Sequence, residues 1–249
     1  MAHHLDLHLC HGNISPVHTF LLRKTVVETC GVFNESLNAC EDEEYWLRCA
    51  AMGQRFGSIS TTYVWYVQHD DSLSGKRAHQ HEHDIQMRFA VSHLLENRPA
   101  FPRAGKYLGR LAHAAGTLGS ARGAFALLPD RAAQLLEECG LSLLRAMAEP
   151  ETHGEETYLA LTEEYYVTQF FSLDSEEISL LPTTLQKALN ICKRRFPSLA
   201  ALDAAELSKK RESLLQSLCC PIATEFHVPT RPQGWHAQTP FPSQAAQKP

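Results

Sequence analysis

Residues 41 to 44 read Glu-Asp-Glu-Glu, four adjacent carboxylates that stand directly before Tyr45, Trp46, Leu47 and Arg48. A carboxylate within reach of a hydroxyl can act as its general base. The positive end of a helix dipole favours the ionised form of such a group, whereas like-charged neighbours oppose it. Taken alone, the run is an ordinary solvated helix start. Trp46 follows Asp42 by four residues, which sets the two on one helix face, and core packing is its simplest role. Arg48 is most simply the partner of an acidic neighbour. A second group of chemically able residues is His79, His81 and His83 in "HQHEHD". On an extended strand all three point to one side, and as a solvated connector they have only incidental affinity for a metal.

The elements that must position these groups fall into three regions. Residues 41 to 52 have helix character, with acids in the first turn and Gly53 placed to end the helix. On either side lie "HTFLL" (18 to 22) and "TTYVWYV" (61 to 67), runs rich in aromatic and β-branched residues that read as strands. Residues 1 to 75 therefore read as an α/β region. From 76 to 220 the apolar period changes to that of helices. Ala132, Leu135, Leu136, Cys139, Leu143, Leu144 and Met147 form the clearest stripe, with Asp130 available as N-cap after Pro129. Further helices are expected near 84 to 97, 103 to 118, 155 to 171, 183 to 195 and 203 to 218. "LGSARGAFALLP" is similar to half of a tetratricopeptide unit, but no period persists. Residues 221 to 249 carry six prolines and few apolar side chains, and are expected to be a disordered tail.

Composition narrows the function. A chain of 249 residues with 44% hydrophobic content can bury a sizeable core. A net charge of −5 and a pI near 6.3 give no basic footprint for nucleic acid. The eight cysteines show no CxxC pair and read as reduced thiols, which points to a cytoplasmic protein. The longest uncharged stretch, Phe56 to Gln68, is too short to span a bilayer, and the N-terminus has no signal-peptide layout.

Residues 12 to 74 resemble the acceptor-side half of family-2 glycosyltransferases, inverting enzymes with a GT-A fold. The likeness runs through six features in order: Asn13; Arg23; Gly31-Val32-Phe33-Asn34-Glu35-Ser36-Leu37; Glu41 through Arg48; Gly53 with Phe56; and Tyr66 to His69 followed by Ser72 and Ser74. Val67 stands where the family has an arginine. The resemblance implies a partial GT-A domain followed by a mostly α-helical C-terminal domain. It also implies that Asp42 is the catalytic base, with Glu41, Trp46, Asn13 and Arg48 supporting the acceptor site. His69 would approach the donor diphosphate or its metal, and Mg²⁺ or Mn²⁺ is the expected cofactor. The family's donor-binding half, with its Asp-x-Asp motif, has no counterpart before Asn13. The chain is therefore expected to be the C-terminal part of such an enzyme, with a nucleotide-sugar donor, a hydroxyl-bearing acceptor, and either a partner chain supplying the donor half or self-association.

Two rival readings remain. The helical region could serve a noncatalytic interaction protein built on a glycosyltransferase remnant. The more distant rival is a metal-dependent hydrolase, because "HLDLHLCHG" (4 to 12) resembles the His-x-His metal strand of amidohydrolase-like enzymes. Cys10 stands two residues after His8, however, and no distant ligand set completes that strand.

Overall fold

Small side chains set how closely the helices of this protein approach one another. The computed structural model describes residues 5–57, 77–97, 105–150 and 157–223. Among them α5 (Gly105–Ala124) is central, with Ala112, Ala114, Ala115 and Ala121 all buried. A short turn at 125 to 128 leads into α6 (Pro129–Ala148), and the two helices pack along their length as a hairpin. Around this pair lie α1 (Leu5–His11), α3 (Glu41–Ala51), α4 (Arg77–Asn97), α7 (Thr157–Phe171) and α9 (Thr183–Arg195). The shorter α2 (Lys24–Cys30), α8 (Ser175–Leu180) and α10 (Pro197–Ala200) join them, and α11 (Ala204–Ala223) packs on α7. One apolar cluster runs from Leu7 and Leu9 through Trp46, Ile85, Leu111 and Leu143 to Leu199.

The α/β expectation for the N-terminal region, and with it the partial GT-A fold, is overturned. The described residues contain helices and no strand. Residues 18 to 22 do not form a strand; they straddle a 3₁₀ turn, Val17–Thr19, and the extended chain that follows. Among the described residues Phe20 stacks on the Trp46 ring and packs against the helical core. "LDLHLCH" alternates like a strand but is α1. Leu7, Leu9 and Cys10 are all buried because other helices cover α1 on more than one side. This removes the metal strand on which the hydrolase reading rested. Residues 61 to 67 and the tail from 224 lie outside the described residues.

Helical expectations fared differently. The predicted helix from 41 to 52 is α3, which ends at Ala51 with Gly53 at φ 80°. The predicted stripe is the buried face of α6, but Pro129 rather than Asp130 opens that helix and Leu128 occupies the N-cap position. Proline at the first helical position loses no hydrogen bond, because its missing N–H would have had no partner there. Helix α4 begins at Arg77, seven residues before the apolar period makes it visible, so "HQHEHD" is helix and not strand.

Two glycines fix the packing. A Cβ on Gly116 would stand 2.1 Å from the His11 carbonyl oxygen, so α1 ends directly on the surface of α5. A Cβ on Gly140 would stand 2.6 Å from the Leu185 backbone nitrogen, where α6 meets α9. Both obstacles are backbone and cannot turn aside. Gly119, three residues beyond Gly116, faces open space. Gly116→Ala should therefore cost about 1–3 kcal/mol, whereas Gly119→Ala should be neutral or stabilising by up to about 1 kcal/mol through helix propensity. Denaturant melts of the two variants check this, and equal effects would show that α1 does not pack on α5 as described.

Candidate functional site

The four carboxylates open α3, and the chain enters that helix through Cys40 in a left-handed conformation, φ 58°. No side chain caps the helix from Cys40, so the first turn supplies its own acceptor. Asp42 Oδ1 accepts the Glu43 backbone N–H at 2.8 Å. Its other oxygen, Oδ2, accepts Asn13 Nδ2 at 3.0 Å. The Asn13 amide has a fixed sense, because its Oδ1 accepts the Ser15 backbone N–H at 3.3 Å and leaves the NH₂ to face Asp42. Sequence reasoning named both residues, and the fold brings them together across 29 positions.

The neighbouring acids are committed elsewhere. Glu44 forms a two-pronged pair with Arg48, Nε to Oε1 at 2.9 Å and Nη2 to Oε2 at 2.8 Å. The hydrogen bonds to Glu44 raise the pKa of Arg48. Arg48 also donates to the carbonyls of Cys30 and Val32, pinning the turn at Gly31 (φ 79°) against α3. Its sequence-assigned partnership with an acid is thus structural. Glu43 is buried and pairs with Arg88 of α4, Nη2 to Oε1 at 3.1 Å. Glu41 and Asp42 are half-buried, and neither has an ion-pair partner among the described residues.

Trp46 is 1% exposed and stacks on Phe20 with ring centroids 4.1 Å apart. It therefore works as core and offers no face to a sugar. Phe33 and Tyr45 meet its edges. Burial, reinforced by the neighbouring Cys30, pushes the Cys49 thiol up to about 12, so Cys49 is unreactive packing. His69 lies outside the described residues. Among the described residues no three His, Cys, Asp or Glu side chains converge as a metal site, so no step is assigned to Mg²⁺ or Mn²⁺.

Arg88 is the residue that sequence reasoning missed. Its signal was a lone cation inside the apolar run "IQMRFAV", where a buried charge requires partners. It is 3% exposed and donates to the Cys10 and His11 carbonyls, both at 3.0 Å, and to Ser120 Oγ at 3.2 Å as well as to Glu43. Asp84, one turn earlier, lies 3.5 Å from its Nε.

Comparisons with protein-family models, with curated proteins and with solved structures found no match. No helix among the described residues is long and apolar enough to cross a membrane.

Burial raises the Glu43 carboxyl to about 7, with Arg88 the main opposing influence. Burial lowers His11 to about 4 and His113 to about 3. A raised carboxyl lends stability that is complete below its unfolded value near 4.5 and is lost as pH rises through 7. Lowered histidines do the reverse: their contribution is complete above 6.5 and is lost as pH falls towards 4 and then 3. Glu43→Gln keeps an acceptor for Arg88 and removes the titration. The stability of wild type relative to Glu43→Gln should be greatest near pH 4.5 and should shrink steadily to pH 7. Melting temperatures measured across that range check the sign, and a constant difference would mean that Glu43 does not titrate there.

Proposed function

We propose that this chain serves glycosyl transfer, with Asp42 as the general base. The acceptor hydroxyl gives its proton to Asp42 as its oxygen forms a bond to the anomeric carbon of a nucleotide sugar. The bond to the nucleoside diphosphate breaks on the opposite face, so the configuration inverts. The donor is held by a partner chain or a further segment. The observation that carries this reading is the inequality of the four carboxylates. Glu43 and Glu44 are spent on buried or bracing ion pairs, while Asp42 is oriented by an amide and has no cationic partner among the described residues. An amide donor fixes a carboxylate's direction without discharging it, as a base requires.

A second reading, that of a noncatalytic interaction protein, is favoured by a different observation. Ile14, Val17, Leu21, Leu22, Val27, Val32 and Phe33 are exposed large apolar side chains within one stretch of chain, and Leu21 is wholly exposed. Such a surface invites a partner or a second copy. The two readings are compatible if the partner also supplies the donor site.

Release of nucleoside diphosphate is the direct assay, using the chain with uridine and guanosine diphosphate sugars, Mn²⁺ and hydroxylic acceptors. Asp42→Asn should lower turnover by roughly 100-fold or more with little change in melting temperature. Asn13→Ala should lower it by about tenfold through lost orientation, and Glu41→Gln by less. Normal turnover by Asp42→Asn would reject Asp42 as the base. If wild type releases no diphosphate and light scattering shows an assembly that Leu21→Asp disperses, the interaction reading stands alone.

A further inference from the structure

The helical register of "HQHEHD" separates its three histidines. His81 lies against α5, where its Cε1 would be 3.1 Å from a Cβ on Gly123. His79 and His83, four residues apart, share one face of α4, and their rings meet edge to face with centroids 4.4 Å apart. His79 is exposed. His83 is 7% exposed, and its buried Nδ1 has no hydrogen-bond partner. A buried imidazole nitrogen without a partner is costly, and a metal ion is one group that can satisfy it.

We infer that His79 and His83 form a two-imidazole clip for a borderline divalent cation of the zinc class, with water completing the coordination. The spacing is the one by which two histidines one helical turn apart reach a single ion. The nearby acids do not compete for the role: Glu82 pairs with Arg131 at 3.1 Å, and Asp84 lies beside Arg88. No third His, Cys, Asp or Glu joins the pair among the described residues, so water entering beside the exposed His79 would fill the remaining positions on the ion. Two neutral nitrogen ligands select Zn²⁺, Ni²⁺ or Cu²⁺ over Mg²⁺, which requires oxygen. The clip is independent of Asp42 and of the glycosyl-transfer reading.

The test is a Zn²⁺ titration of the full chain against a chromophoric chelator, paired with melting curves. Wild type should show a site that His79→Gln and His83→Gln each weaken by about tenfold or more. His93→Gln, on the same helix, should leave that site unchanged. Zn²⁺ should raise the melting temperature of wild type but not of His79→Gln, and an equal concentration of Mg²⁺ should raise neither. His79 is exposed, so that variant folds whatever becomes of His83→Gln. Zn²⁺ affinity and Zn²⁺-induced stabilisation in His79→Gln equal to those of wild type would overturn the inference, as would the absence of any site in wild type stronger than in a variant carrying both His79→Gln and His83→Gln.

Discussion

The guanidinium of Arg88 is the interaction on which the N-terminal part of this structure depends. A buried cation of this kind is tolerable only when nearly every N–H it carries is matched, and removing one charged partner of such a pair typically costs about 3–5 kcal/mol. Here the matches come from four helices. Two carbonyls at the end of α1 accept from it, Glu43 brings α3, Ser120 brings α5, and Asp84 lies on α4 itself. The last carbonyls of a helix have no intrahelical partner, so Arg88 also completes α1. Gly116 makes this possible, because only a bare backbone lets the end of α1 come so near to α5.

From that constraint follows the unequal fate of the acids in α3. With Glu43 drawn inward to Arg88, the helix is held at one rotation, and Glu44 then faces Arg48 and the Gly31 turn. Trp46 is turned into the core beside Phe20. Asp42 is left near the surface, where Asn13, two residues beyond the end of α1, can reach it. The placement of the candidate base is thus a consequence of a buried ion pair on the adjacent residue.

How much of this was legible depended on how local its cause was. The span of α3 could be read from its acidic start and Gly53, and the inner face of α6 from a stripe of seven apolar residues, because the reasons lie within each segment. The kinship of Asn13 and Asp42 was named from a resemblance, but their hydrogen bond depends on where α1 ends, which no local pattern encodes. Two segments misled in physically clear ways. Alternation in "LDLHLCH" signals a strand only if one face meets solvent, and α1 is covered on several sides. The aromatic and β-branched character around Phe20 suits a sheet and a ring stack on a helix equally well. Arg88 was overlooked because a lone cation in an apolar run reads as an interruption until its partners are known.

Helix α1 also has a place in time. His8 reaches Tyr158 at 2.7 Å across 150 residues of chain, and the Tyr166 hydroxyl reaches the Leu7 carbonyl from further still. At ordinary rates of synthesis the ribosome needs roughly 10–30 s to cover such a distance. For that interval Leu7, Leu9 and Cys10, all fully buried in the finished fold, have no α7 to cover them. A seven-residue helix is too short to persist alone in water. The segment thus has no cover for these apolar side chains until α5 and α7 emerge, an interval in which they are open to chaperone capture.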